Sequence, residues 1–274
     1  MKKIIYILVI TLLISSLCAC SNSEKDDGRP DITVAPASDF KYGELDGYIV
    51  ITEYLADDKY VSVPEKIDGK KVKVLGGFAG KNLREIIIPN SVEKIRFSAF
   101  DECYNLRKIY WSDNITEIED AAFDNCIKLQ LNTLPENLKK IGGSAFSNCH
   151  KITEITIPKT VEEIGGYAFL NTALTSVTFE EGIEEISGEG NFCSTKLEHI
   201  TLPASIKKIG DRPFAPNLKT VTFLGDAPEI THEDPFRFIT PEDTEIHEVI
   251  IKYDKNTKGW DTTPLRDNYT LEAY

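Results

Sequence analysis

Apolar and polar positions alternate along this chain in a block that returns every 22 or 23 residues, marked by Phe78, Phe100, Phe123, Phe146, Phe169, Phe192, Phe214 and Phe236. The block is clearest where Ile155, Ile157, Val161 and Ile164 lead to Ala168 and Phe169. Aligned on the phenylalanines, it opens on an aliphatic column of Leu83, Leu106, Leu129, Ile152, Leu174, Leu197, Leu218 and Ile246. Two further columns follow, one residue apart: Ile86 and Ile109 through Val221 and Val249, then Ile88 and Trp111 through Phe223 and Ile251. Residues two apart share one face of an extended chain, so each block predicts a short strand with that face inward. Pro89, Pro135, Pro158 and Pro203 end four of these strands by removing a backbone donor where pairing should stop. A second inward pair comes next, from Val92/Ile95 to Ile206/Ile209. Gly142, Gly165 and Gly210 then let the backbone bend, and the Ala-Phe pair is placed on one helical turn that returns to the next strand. So small a unit cannot bury its own apolar face and must stack on its neighbours.

The pattern Ile-Pro-x-x-Val-x-x-Ile-Gly-x-x-Ala-Phe-x-x-Cys resembles the BspA-like leucine-rich repeats of bacterial surface proteins, over roughly Tyr42 to Trp260. Tyr48 to Val74 is similar to that family's longer first coil, and Leu224 to Pro228 with Lys258 to Trp260 is similar to its closing segment. The expected fold is a right-handed leucine-rich repeat solenoid of 22–23-residue coils. Each coil would carry one short parallel strand with short helical turns opposite, and both ends would be capped. Asn191 and Pro213 replace the Ala before Phe, and Ser112 and Glu180 replace the proline, which affects single corners and not the architecture.

At the amino terminus Lys2-Lys3 precedes an apolar run from Ile4 to Leu17 and then Cys18-Ala19-Cys20, which resembles a bacterial lipoprotein signal. The run is shorter than the roughly 20 residues a membrane-spanning helix needs, so a removed export signal is the better physical reading. The resemblance implies a diacylglyceryl thioether on Cys20, the cysteine preceded by small Ala19. Residues 1–19 are then the signal, 20–40 a flexible tether poor in apolar residues, and 41–274 the repeat domain with its caps. Localisation is expected to be outside the cytosol, at the outer face of a membrane or the cell surface.

Charge narrows the partners. The formal net charge is −13, and removing Lys2 and Lys3 with the signal makes it −15. Nucleic acid and anionic lipid both call for a concentrated basic surface, so neither is expected as a partner.

Of the remaining cysteines, Cys103, Cys126 and Cys149 recur three positions after their phenylalanines and form one column. Parallel side chains at strand spacing favour buried free thiols, with one strained disulfide as the alternative and zinc-ligand spacing absent. His150 beside Cys149 is a sequence neighbour rather than a positioned base. The turn around Asp254 and Asn256 lacks calcium-loop ligands at its later positions. No catalytic constellation and no cofactor are expected, and the chain is read as a monomer.

Function is therefore sought in the outward columns. One runs Ile87, Tyr110, Thr133, Thr156, Thr178, Thr201, Thr222 and Ile250; its neighbour runs Glu85, Lys108, Leu131, Glu154, Ser176, His199, Thr220 and Glu248. The threonines suit a sheet surface. Ile87, Tyr110 and Leu131 beside Arg107, Lys108 and Glu85 have the composition of a protein-binding hot spot, an aromatic anchor with a polar rim. Asn132 falls in an inward aliphatic position, so either its amide is bonded inside or Leu131 turns inward through a bulge. On another face, Glu162-Glu163 lies against Glu184-Glu185, a step at which like charges should repel; it is either solvated or held by calcium or a basic ligand. The resemblance implies adhesion to host matrix proteins or other microbes. The alternative is a structural lipoprotein scaffolding the cell's own envelope partners.

Overall fold

The inward columns stack into parallel ladders in a computed structural model, which describes residues 30–214, 217–232, 234–236, 248–265 and 269–274. On the strand face, Tyr60–Ser62, Glu85–Ile87 and Lys108–Tyr110 form one parallel sheet. Glu154–Ile157, Ser176–Phe179, His199–Leu202, Thr220–Phe223, Ile250–Tyr253 and Thr270–Ala273 form a second. The Val-x-x-Ile segments make another ladder, from the hairpin Phe40–Leu45/Tyr48–Tyr54 through Lys70–Leu75 to Glu163–Ile164, resuming at Glu185–Ile186.

A third set of hydrogen bonds closes the coil at the phenylalanines. The Phe100 N–H donates to Ala122 O at 2.7 Å, and Phe123 and Phe146 donate in the same way to Ala145 and Ala168 at 2.8 Å. Their rings lie inside the coil. From Phe78 to Phe236 successive centroids are 5.0–5.8 Å apart, with ring planes within 27° of parallel. Every ring of the eight is fully buried. Tyr54 extends the stack by one ring, 5.0 Å from Phe78, and Phe40 leans on both. At the other end Trp260 packs against Phe223 and Tyr253, as the resemblance of Lys258–Trp260 to a closing segment implies.

Four expectations need correction. The Ala-Phe segments are turns rather than helix. Two residues before the phenylalanine, Ser98, Ala121, Ser144 and Tyr167 have φ of 48–60°, and two after it Glu102, Asn125, Asn148 and Asn171 have 55–59°. These left-handed residues make the bends at non-glycine positions, at a cost of about 1–2 kcal/mol each for most side chains. The recurring glycines instead permit close approach: a Cβ on Gly142 would lie 2.3 Å from Asp120 N, and one on Gly165 would lie 2.4 Å from Gly143 N. In the last repeat the register is displaced by two residues, because Thr222 pairs with Lys252 and Thr220 with Ile250. Ile250 therefore leaves the threonine row, and Ile246 lies outside the described residues. Finally, the end of the expected 20–40 tether is attached: Val34 bridges Ser62, and Ala35 N–H donates to Ser62 O at 2.9 Å.

The Val-x-x-Ile ladder opens at the double-glutamate step. Elsewhere the first residue of the pair donates to the previous coil, as in Thr116 N to Glu93 O at 2.9 Å and Glu162 N to Lys139 O at 2.8 Å. Among the described residues Glu184 N and Ser187 N make no equivalent bond. One extra residue enters this coil, six positions separating Ile186 from Phe192 where five separate Ile164 from Phe169. Fully buried Asn191 spans the fault, its amide donating to Ser187 O at 2.6 Å and accepting from Ala168 N at 3.3 Å.

Gly142→Ala is expected to lower stability by about 1–3 kcal/mol through backbone overlap, whereas Gly43→Ala, with nothing near its Cβ, should shift it far less. Chemical denaturation of the two variants checks this.

Candidate functional site

On the strand face alternation fails at Gln130–Leu134. Asn132 occupies a place where neighbouring coils carry Ile109 and Ile155, and an unpaired buried amide would be costly. The structure takes the second of the two routes left open by the sequence: Asn132 is exposed, and Leu131 turns in to pack against the core. With inward and outward positions exchanged, the segment forms no strand. It keeps only the Thr133–Thr156 bridge and the bonds Gln130 N to Arg107 O at 2.9 Å and Thr156 N to Asn132 O at 3.0 Å.

The interruption separates the two strand-face sheets and leaves a surface depression of about 710 Å³ between them. Glu85, Arg107, Lys108 and Leu131, four of the residues singled out from the sequence, line it with Lys151 and Glu154. Beside it the Tyr110 hydroxyl donates to Glu85 Oε2 at 3.2 Å, and Lys108 Nζ sits 4.4 Å from the Tyr110 ring centroid. The ring is thus held from both sides and half-exposed. Ile87 does not belong to the exposed patch: it is buried at 8%, lying between Ser62 and Tyr110 in the row, with the Tyr110 hydroxyl reaching back across to Glu85.

Sequence reasoning missed Tyr60. It is 47% exposed and pairs with Glu85, which puts an aromatic in the outward column beside that of Tyr110. The signal was present in Tyr60-Val61-Ser62-Val63-Pro64, which carries the same alternation and closing proline as the later coils. Cys20 lies outside the described residues.

Beyond this depression the strand face is a row of threonines in register, Thr133, Thr156, Thr178, Thr201 and Thr222. The cysteines are free, and Cys103, Cys126 and Cys149 donate to Phe78 O, Phe100 O and Phe123 O at 3.0–3.2 Å. Burial pushes the Cys103 and Cys193 thiols up to about 12, and the Cys126 and Cys149 thiols are raised as well. His150 faces outward, 3.3 Å from Asn171 Nδ2, while Cys149 points into the core, so the pair is no dyad. Asp254 Oδ1 accepts from Asn256 N at 2.8 Å within its own turn. Among the described residues no group of His, Cys, Asp and Glu could hold a metal ion.

Residues 76–190 and 179–251 match the family model described as BspA type leucine rich repeat region, in six copies. Among solved structures, the T. pallidum leucine rich repeat protein TpLRR is 30% identical with a TM-score of 0.57, over 70% of this chain and 86% of that one. A leucine-rich repeat protein from Bacteroides ovatus is 20% identical with a TM-score of 0.49, over 82% and 71% of the two chains. A leucine rich cell surface protein from Faecalibacterium prausnitzii is 17% identical with a TM-score of 0.42, over 83% and 90%. No curated protein matches the chain.

Thiolate being the reactive form, the raised thiols should stay inert. Iodoacetamide at pH 8 is expected to leave Cys103, Cys126, Cys149 and Cys193 unmodified in the folded protein and to alkylate all four in denaturant, as read by peptide mass.

Proposed function

The chain belongs to the BspA-type leucine-rich repeat family, and we propose that it is a non-catalytic binding protein held at the cell surface, contacting a protein partner through its strand face. The depression opened at Asn132 is the observation that carries this reading. A regular threonine row offers a flat surface, whereas the interrupted coil offers concavity and a polar rim, with half-exposed Tyr110 beside it on the preceding coil. Concavity with a few polar groups, and an aromatic anchor near the centre of a contact, are what binding surfaces use. The family resemblance supports adhesion to matrix proteins as the biological context.

Attachment follows from Cys20 in this reading. A diacylglyceryl group there supplies two acyl chains, each buried methylene contributing about 0.8 kcal/mol, where one chain alone holds only marginally. Residues 21–33 would then span the distance to the first coil, and Val34 marks where the chain joins the fold.

Two outcomes are expected. Capture of soluble matrix proteins by the full chain should weaken by about tenfold in Tyr110→Ala, the loss of one central anchor, while Thr201→Ala leaves it unchanged; equal capture by all three proteins would remove the strand-face assignment. In cells fed a clickable palmitate analogue, the wild-type chain should carry label and Cys20→Ser should carry none.

A further inference from the structure

Charges on the two long faces are treated differently by the fold. Along the Val-x-x-Ile ladder the lysines are matched to carboxylates of the adjoining coil: Lys73 to Glu93 at 2.8 Å, Lys94 to Glu117 at 2.9 Å, Lys140 to Glu163 at 3.0 Å and Lys208 to Glu185 at 2.9 Å. On the strand face beyond the interruption, Lys219 pairs with Glu198 at 2.8 Å, and Lys219 holds that carboxyl below its usual range. Several cations on this face, Arg84 and Lys196 among them, have no such ion pair, and Arg107, Lys108 and Lys151 are three that fall together. All three are exposed and line one depression, and among the described residues no carboxylate lies in ion-pair contact with any of them. Two carboxylates, Glu85 and Glu154, line the same depression, so three cations stand there against two anions, and Glu85 also accepts from the Tyr110 hydroxyl.

We propose that the depression at the interrupted coil takes an acidic peptide segment of a partner protein, with its carboxylates met by Arg107, Lys108 and Lys151 and an adjoining apolar side chain set against Tyr110 and Leu131. This deepens the strand-face reading and rests on it. Arg107 supplies a planar fork suited to a carboxylate, and the two lysines supply point charges beside it. The surrounding protein is acidic, at −13 overall, but exposed charges more than a Debye length of about 8 Å away are largely screened at physiological salt, so the local cations decide. The same acidity disfavours an extended polyanion. A volume of about 710 Å³ lies within the roughly 300–1,000 Å³ of ligand pockets and accommodates a few residues.

A random-peptide display library selected on the immobilised full chain tests the idea. Selected peptides are expected to carry Asp or Glu next to an aromatic or aliphatic residue. A synthetic peptide of the enriched sequence should lose about tenfold in affinity, or about 1.4 kcal/mol, against Arg107→Gln/Lys151→Gln. It should keep its affinity against Lys139→Gln/Lys207→Gln on the paired ladder, and weaken as salt rises. Selection without acidic enrichment, binding indifferent to the Arg107/Lys151 change, or tighter retention of a heparin fragment than of any acidic peptide by the same residues would overturn the proposal. Peptides that lose affinity with Tyr110→Ala but not with the charge changes would refute acidic recognition while leaving the strand-face reading in place.

Discussion

One coil can rest on the next only if three kinds of contact agree on a single rise. Strand ladders want about 4.7–4.9 Å between neighbours, and aromatic pairs tolerate centroids from about 4.5 to 7 Å. The phenylalanine column lies within the aromatic range at 5.0–5.8 Å, its rings offset slightly beyond the strand spacing, with the Phe N–H to Ala O bonds tying ring to backbone. That agreement explains the residue choice around each ring. Ala99, Ala122, Ala145 and Ala168 are fully buried where their carbonyls receive the next ladder bond, and the cysteines are small enough to fill the corner beyond. A rod assembled this way has its interior committed to packing before any function is considered.

Two coils depart from the common rise, by different means. The coil of Asn132 keeps its length but carries a polar residue at an apolar position, so inward and outward residues exchange and the strand is lost. The coil of Asn191 keeps its strand-face pairing but gains a residue in the corner, and the Val-x-x-Ile ladder parts where four carboxylates would have met. The second fault is closed by a buried amide that takes over two backbone bonding groups. The first is left open to solvent and lined by side chains. A fault repaired from inside serves the fold; a fault left as a depression is available for contact.

Legibility followed the physics of each signal. The columns, the phenylalanine stack and the threonine row were readable because periodicity records burial directly. Asn132 was readable as a conflict but not as an outcome, since two physical routes resolve it and only the packing of Leu131 distinguishes them. The glycines were misread. A glycine after Ile suggests a bend, yet the bends fall on Ala121, Ser144 and Tyr167, whose side chains give no sign of a left-handed backbone, while Gly142 is required by the neighbouring coil's Asp120 N. Sequence spacing also fails past Leu224: the segment before the strand Ile250–Tyr253 is longer than the repeat, and nothing in the alternation there separates a register from one two residues away. Ile87 was assigned to the surface by alternation alone, which ignores a tyrosine in the next coil bonding back to Glu85.

Charge pairing follows from the same register. Residues in equivalent positions on successive coils lie one ladder spacing apart, so a lysine pair in one coil and a glutamate pair in the next neutralise each other without any side chain leaving its row. Each exposed pair contributes less than about 1 kcal/mol, and their collective effect is to leave that face without a net attraction for a charged partner. On the strand face Glu85 stands in register with Lys108, but the following coil offers Gln130 and Leu131 in place of carboxylates, and Lys151 comes from the coil beyond. Concavity and a small local excess of positive charge therefore arise together at one departure in the repeat.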